Sequence, residues 1–551
     1  MISTIFYHPE AFTTSGPKLM GRNVAGKSFL RGFFSYSSNQ EFWALLNTKE
    51  HFEQFTKEVV SSGRTEKVKA IYKESIRELS DSGLIFYPGP DIANQSFYRA
   101  SLQCHRSWSI CGITHTTSSS IAMDAITNLL TSAVYPWDAL ICTSQAAKKN
   151  VLNVLQAQTD FLQSRLGISK VVLPQLPVIP LGIHTSDFEF SLSQKQTSRE
   201  SLGIEPQAIV VLFVGRLSFH AKAHPLAMYQ ALEAASKIAE QKVVLIECGW
   251  HANDYISRAF HQASSKTCPN IHVINLDGRK AENQLLAWSS ADVFCSLSDN
   301  IQETFGITPV EAMASGIPVV VSDWDGYKDT VRDGVDGFRI PTLMPPDGSG
   351  NDLAYRHAIE LDSYDMYCGN TCSLIAVDIQ AATKAFVSLF QSSELRCDMG
   401  NSGRQRAKEQ YDWKNIIMQY EALWRELSNI RTSKTIELNI AKRPWPNRID
   451  PFHAFDSYPT NILSSETLLT LVDTSVSDAL NRLSIYRQLD MINFAKVVIP
   501  HDDEIKAVLQ AASFGPLKAI LLLKNIPPHR HPFVFRSLSW LVKLGILSVC
   551  F

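Results

Sequence analysis

The sequence predicts an α/β protein built as two parallel-sheet halves, with a mainly helical extension after them. Three observations carry that expectation. Short apolar runs alternate with longer stretches of helical period along most of the 551 residues, and strands that alternate with helices pair in parallel. The alternating series runs once, breaks at a polar stretch, and runs again. After about Leu438 it gives way to proline-rich KRPWPNRIDPF and then to helical patterns.

A chain this long exceeds one ordinary core, so two to four domains are expected. In the first half the strands fall at Ser3–Tyr7, Leu84–Tyr87, Ser109–Thr114, Ala139–Thr143 and Val178–Pro180. Helical patterns lie between them, among them Phe29–Leu46 and Gln145–Leu166. SLSQKQTSR, Ser191–Arg199, is polar and aperiodic and reads as a linker. The second series has strands at Ile209–Val214, Val243–Cys248, Ile271–Leu276, Val293–Ser296 and Val319–Val321. Its helices are Pro225–Glu240, Ala281–Ser289 and a shorter one near Thr308–Ala314. Ser363–Ser373 shows no clear pattern. The expected divisions are therefore 1–190, 191–410, a helix over 411–429, and an extension over 438–551.

Composition narrows the function. The chain is 45% hydrophobic and 19% charged, with a formal net charge of -2. That describes a folded protein with no overall attraction for nucleic acid or anionic lipid. The ten cysteines are scattered, without a CxxC, and the tightest spacing is Cys368 to Cys372. This argues against a structural zinc site and suits a reducing compartment. The N-terminus shows no basic region followed by an apolar run, and no apolar run approaches the ~20 residues of a spanning helix. The expectation is a cytoplasmic protein.

Chemistry concentrates in ETFGITPVEAMASGIPVVVSDWDG, Glu303–Gly326. Thr308-Pro309 reads as a helix start, with a capping hydroxyl and then proline in the first turn. Backbone N–H groups around Phe305, Gly306 and Ile307 would be free there and would attract a diphosphate. Glu303 stands just ahead of the helix and Glu311 about one turn in. Carboxylates are poor phosphate ligands but good acceptors from hydroxyls, including paired ones. Hydroxyls at both ends with a diphosphate between them describe a nucleotide sugar. VVLFVGRLSFHAKAHP, Val210–Pro225, then places Arg216 and Lys222 in a strand-to-helix loop. Ligands bind at the carboxyl ends of strands in open α/β sheets, and two cations there can neutralise a departing diphosphate.

Together these motifs resemble glycosyltransferase family four, whose members have the GT-B fold of two Rossmann-like domains facing a cleft. The likeness runs over roughly Met1–Asn429. It includes PLGIHTSDF (Pro180–Phe188), similar to the family's interdomain segment, and YDWKNIIMQYEALWREL (Tyr411–Leu427), similar to its crossing helix. The resemblance implies that Glu303 touches the donor sugar, Glu311 the ribose diol, and Arg216 and Lys222 the diphosphate, aided by the backbone at Phe305, Gly306 and Ile307. It puts Arg279 near the base and His115, in CGITHTTSS, near the reacting centre, so that Glu303, His115 and Arg216 are the candidate catalytic groups. It further implies retention of configuration, no bound metal, and no cofactor beyond the nucleotide-sugar co-substrate. One departure stands out: Lys222 follows Arg216 by six positions where the family has five.

Two other motifs compete. GRNVAGKS, Gly21–Ser28, matches the P-loop pattern, with Lys27 as its lysine. The preceding FTTSGPKLM is a poor strand, so we read a glycine-rich loop facing the cleft, with Gly21 and Gly26 admitting a phosphate. Asp323-Trp324-Asp325 could hold magnesium under a diphosphate; we read it as a polar loop leading into Gly326. The extension carries Lys518, Lys524, Arg530, Arg536 and Lys543 while residues 511–551 contain no acid. PPHRHPFVFRSLSWLVKLGILSV resembles the end of a winged-helix unit. Nucleic acid or an anionic membrane surface is the ligand those charges suit; a packing or dimerising module is the reading we adopt. The alternatives for the whole chain are a P-loop hydrolase or kinase, a binding protein on an inactive transferase scaffold, and a sugar-nucleotide epimerase. The acceptor and the donor base are not legible.

Overall fold

Strands buried on both faces of a parallel sheet must be apolar throughout. IVVLFV, VFCS and VVVS come close to that demand and are inner strands of the second sheet, as is VVLIECG, whose buried Glu247 is the exception and accepts from the Tyr229 hydroxyl. The structure, a computed structural model, describes residues 2–12, 21–433 and 444–550. The chain divides into two compact units, Met1–Trp445 and Pro446–Phe551.

The first unit holds two six-stranded sheets. One contains β1 (Thr4–Phe6), β2 (Glu41–Leu45), β3 (Lys67–Ile71), β4 (Leu84–Phe86), β5 (Ser109–Ile113) and β6 (Ala139–Ile141), in the order β3-β2-β1-β4-β5-β6. The other contains β7 (Ile209–Val214), β8 (Val243–Gly249), β9 (His272–Asp277), β10 (Val293–Ser296), β11 (Val319–Ser322) and β12 (Gly337–Ile340), in the order β12-β11-β10-β7-β8-β9. All pairings within both sheets are parallel. Counted from its own first strand, each sheet has the same doubly wound order. The order reverses between β1 and β4 in one and between β7 and β10 in the other. At such a reversal the flanking helices diverge and leave a crevice beyond the strand ends.

Several expectations need correction. The helix expected over Phe29–Leu46 is a helix Gly21–Tyr36 followed by β2, whose EFWAL is apolar enough to continue a helical pattern. β3, KVKAI, is too charged to read as a strand from its pattern; it sits at the sheet edge. Val178 makes only an isolated bridge to Cys142, and no strand spans Val178–Pro180. The expected linker is a helix, Leu192–Ser201, closed by a capping box between Ser191 and Gln194. Ser363 caps a helix Tyr364–Cys372. The P-loop and the glycine-rich loop both fail on the same fact: GRNVAGKS is helical from Gly21 onward. Gly26 lies inside that helix, where any Cβ would overlap the Ala11 carbonyl. Most of FTTSGPKLM, residues 13–20, lies outside the described residues.

The helix Trp413–Thr432 follows the second sheet in sequence but buries its apolar face in the first. Ile416, Ile417, Tyr420, Trp424 and Leu427 pack with Phe29, Phe33, Phe42 and Phe86. Trp413 donates from Nε1 to Ser28 Oγ (2.7 Å). Its ring lies between Gly32 and Gly182; a Cβ on Gly32 would stand 2.5 Å from the ring, and one on Gly182 would overlap it. At the far end Arg431 donates to the carbonyls of Arg106 and Ser107 (2.8 Å each). One helix thus carries the chain back from the second half to the first.

In the second unit, residues 434–443 precede it outside the described residues, and the boundary expected at 438 lies among them. Helices Val476–Tyr486, Asp502–Ala512 and His531–Lys543 pack on a three-stranded antiparallel sheet, Leu517–Lys518, Leu468–Leu471 and Leu547–Cys550. Its cations are not all uncompensated. Arg530 pairs with Glu504 through two bonds (2.6 and 2.9 Å), Lys518 pairs with Glu466, and Arg536 lies over the Phe533 ring. Acids upstream of residue 511 supply the balance.

The Trp413 slot makes a prediction. Gly32→Ala and Gly182→Ala should each lower stability by about 1–3 kcal/mol through overpacking. Gly350→Ala, which meets nothing within 4 Å, should leave it unchanged. Urea unfolding of the three variants checks this; equal midpoints would remove Trp413 as the joint.

Candidate functional site

The reversal in the second sheet brings the loop after β7 beside the loop after β10. The first runs from Gly215 to His224. Its Ser218 carbonyl accepts from the N–H groups of Lys222 (3.0 Å) and Ala223 (3.3 Å), a turn tight enough to absorb the extra residue before Lys222. Lys222 therefore reaches Glu303 and forms an ion pair with it, both side chains only partly exposed. Arg216 donates to the Ala221 carbonyl (2.7 Å) and to Gln302 Oε1 (2.8 Å). Three more bonds lace the loops: Asn300 to the His220 carbonyl (3.1 Å), Ser298 to the Lys222 carbonyl (3.3 Å), and the His224 N–H to Asp299 (3.2 Å).

The helix beyond Glu303 starts differently from expectation. It spans Ile307–Ala314, and its N-cap is Gly306, not Thr308. Gly306 has φ 79°, and a Cβ there would overlap the Tyr327 ring. Only glycine fits both demands. Its N–H donates to Glu303 Oε1 (3.1 Å), so this donor is engaged within the loop. Pro309 is buried in the first turn and Glu311 lies half-buried one turn in.

The carboxyls differ in charge state. Burial acts to raise Glu303, but the Lys222 charge and its hydrogen bond outweigh it and hold Glu303 below the usual carboxylate range. Glu311 is pushed up to about 7 by burial, only partly offset by Lys222. Asp299 is likewise pushed to about 7 by burial.

His115 lies at the start of the loop after β5, half-buried, and its carbonyl accepts from Thr304 Oγ1 (3.1 Å). The Thr304 carbonyl in turn accepts from Ser144 Oγ (2.6 Å). Tyr364, on the helix Tyr364–Cys372, shares its hydroxyl with Ser118 (2.9 Å) and Thr116 (3.3 Å). The β5 loop of the first half is thus seated against the Glu303 loop of the second. Arg279, after β9, lies farther along the same sheet end. It is half-exposed and bound to Asp277 by two 2.9 Å bonds, which hold Asp277 down to about 2.

Of the expected site residues, the structure groups Arg216, Lys222, Glu303, Phe305, Gly306, Ile307 and Glu311 around one crevice and brings His115 to its edge. Gly21 opens a helix instead, and Gly26 packs within that helix against Ala11. Asp323 and Asp325 diverge: Asp323 lies 3.5 Å from Arg339, while Asp325 feels the charges of Glu303 and Lys222. Sequence reasoning missed Gln302, Asp299, Asn300 and Tyr364. Gln302 and Tyr364 carried no signal, because their partners are remote in the chain.

Residues 194–345 match the family model described as glycosyl transferases group 1. The chain is 28% identical over 211 residues to an uncharacterised glycosyltransferase of Methanocaldococcus jannaschii, covering 37% of this chain and 47% of that one. It is 27% identical over 213 residues to a D-inositol 3-phosphate glycosyltransferase of Corynebacterium kroppenstedtii, covering 38% and 44%. The match thus spans less than half the length of these relatives. Among solved structures, an Anabaena protein, HepE, crystallised with UDP, superposes with a TM-score of 0.50 at 14% identity, over 77% of this chain and 100% of that one. A glycosyltransferase from Rickettsia africae does so with a TM-score of 0.50 at 11% identity, over 77% and 98%. The architecture is that of GT-B proteins. The likeness to glycosyltransferases, first drawn from motifs, holds over residues 194–345.

Glu311 gives a pH test. Folded, it keeps its proton up to about pH 7; unfolded, it releases it near its ordinary 4.5. Between those values the native state binds more protons, so this group's contribution to stability falls as pH rises. The Tm of Glu311→Gln relative to the parent should therefore climb from pH 4.5 to pH 7 and level above. A difference independent of pH would remove the perturbed carboxyl.

Proposed function

We propose that this protein transfers a sugar from a nucleoside-diphosphate sugar to an acceptor hydroxyl. The observation that carries the reading is the convergence of Arg216, Lys222, Glu303 and Glu311 from two loops at the β7/β10 reversal. That set offers cations for a diphosphate between carboxyls for hydroxyl groups at either end. The relatives named as glycosyltransferases and the UDP-bound HepE structure support it.

In this reading Glu311 accepts from the ribose and Glu303 from the sugar. Arg216 and Lys222 stabilise the diphosphate as the bond to the anomeric carbon breaks, where charge develops. The sugar passes through an oxocarbenium-like state. An oxygen of the departing phosphate takes the acceptor's proton on the same face, which gives retention and uses no metal. His115 borders the reacting centre, and the seated β5 loop keeps water from it. For the acceptor we propose the cavity at the other reversal, between β1 and β4. Its volume is about 160 Å³, and Phe6, Leu45, Tyr87, Asp91, Asn94 and Tyr98 line it. Aromatic walls with a few polar groups suit a small hydroxylated ring. We place the protein in the cytoplasm, the setting expected from the sequence.

Thermal unfolding against UDP, GDP and ADP, and against ATP with and without magnesium, tests the reading. A ligand at a hundred times its Kd adds about 2.7 kcal/mol. One nucleoside diphosphate should stabilise the protein without metal, and Arg216→Ala and Glu311→Ala should abolish the effect while Lys27→Ala retains it. Stabilisation by magnesium-ATP alone would overturn the proposal.

A further inference from the structure

The loop Asp323–Gly326 is locked against the Glu303 loop. Trp324 donates from Nε1 to the Asn300 carbonyl (3.0 Å). Gly326 packs so closely that a Cβ there would lie 2.5 Å from Phe305 Cα. Between them Asp325 has φ 39°, in the left-handed region that few residues other than Gly, Asn and Asp adopt. Its Oδ1 accepts from the Gly326 N–H. Its Oδ2 is buried and, among the described residues, bonded by nothing. A buried polar atom without a partner is unfavourable. This unpaired atom sits beside Glu303, and a ligand group that bonds Oδ2 accounts for it.

We propose that Asp325 is a specificity-determining residue of the donor site, its Oδ2 bonding a hydroxyl of the donor sugar next to the one that Glu303 accepts. The inference rests on the function proposed above. A hydroxyl offers one donor and two acceptor positions. Glu303, kept ionised by Lys222, can only accept. Burial and then the Glu303 charge both push Asp325 toward its protonated form, against the opposing pull of the Gly326 N–H, Lys222 and the Tyr327 N–H, and a protonated carboxyl can donate. The pair therefore reads two neighbouring hydroxyls in opposite senses, one as a donor and one as an acceptor, and a ligand lacking the sugar leaves Oδ2 unpaired. No other function so far assigned uses this side chain.

Binding of UDP and UDP-glucose, and of GDP and GDP-mannose, to the parent, Asp325→Gly and Asp325→Asn tests this by calorimetry. Glycine accepts the left-handed backbone without strain, so Asp325→Gly should melt no lower than the parent. It should bind the free diphosphate as the parent does, and the matching nucleotide sugar about tenfold more weakly. Asp325→Asn keeps Oδ1 and replaces the acid with an amide donor, tolerates the left-handed region, and should recover most of the loss. Equal affinities for the nucleotide sugar in all three, or equal weakening of diphosphate and nucleotide sugar, would overturn the inference alone. If Asp325→Gly does not fold, Asp325→Asn must still bind the nucleotide sugar within a few-fold of the parent, and a loss of diphosphate affinity in it overturns the inference. A parent that binds none of the four compounds overturns the function itself.

Discussion

The ion pair between Lys222 and Glu303 joins the loop after β7 to the loop after β10, and the chemistry of the molecule hangs on that junction. Parallel strand order creates the crevice, because β7 and β10 are neighbours in the sheet though 82 residues separate Val211 from its register partner Val293. The crevice alone would be an open gap. With a cation and an anion facing each other at its mouth, the two loops take one conformation and the Arg216 guanidinium is held by Ala221 and Gln302 in place. The same pair sets charge: Lys222 keeps Glu303 ionised, while Glu311 and Asp325, where burial dominates, lean toward their neutral forms. Three carboxyls within one crevice thus differ in what they can accept or donate.

A second constraint operates at the scale of the whole first unit. The two doubly wound halves are tied by the helix Trp413–Thr432, whose tryptophan occupies a slot that only two glycines can leave open. Side chains then seat the β5 loop against the Glu303 loop through Thr304, the β6 loop against the same residue through Ser144, and the β5 loop against the helix Tyr364–Cys372 through Tyr364. Chemistry at the boundary of two bodies needs both faces held at once, and here the crossing helix and the polar stitches do so from opposite ends.

How much of this was legible depends on whether the signal was local. The apolar strands of the second sheet, and the cluster of Arg216, Glu303 and Glu311, are local patterns with direct physical meaning, and they stand where the residues indicated. Lys222 was legible as a cation; that the extra residue before it folds into a turn at Ser218 was not, because turn closure depends on the neighbouring Ser298 and Asn300. EFWAL was misread because a short apolar strand and a helical face have overlapping patterns. GRNVAGKS was misread because a motif specifies residues and not the backbone that carries them.

The sequence by itself determined the α/β class, the doubled series of strands and helices, and the residue types of each of the two loops that meet at the second sheet's crevice, since these follow from periodicity and from groups close in the chain. Only the tertiary structure decided that Gly26 serves helix packing, that Gly306 and not Thr308 caps the site helix, and that Gln302, Tyr364 and Asp325 belong beside Glu303. Those outcomes depend on which surfaces meet, and contact between segments far apart in the chain leaves no trace in the spacing of either one.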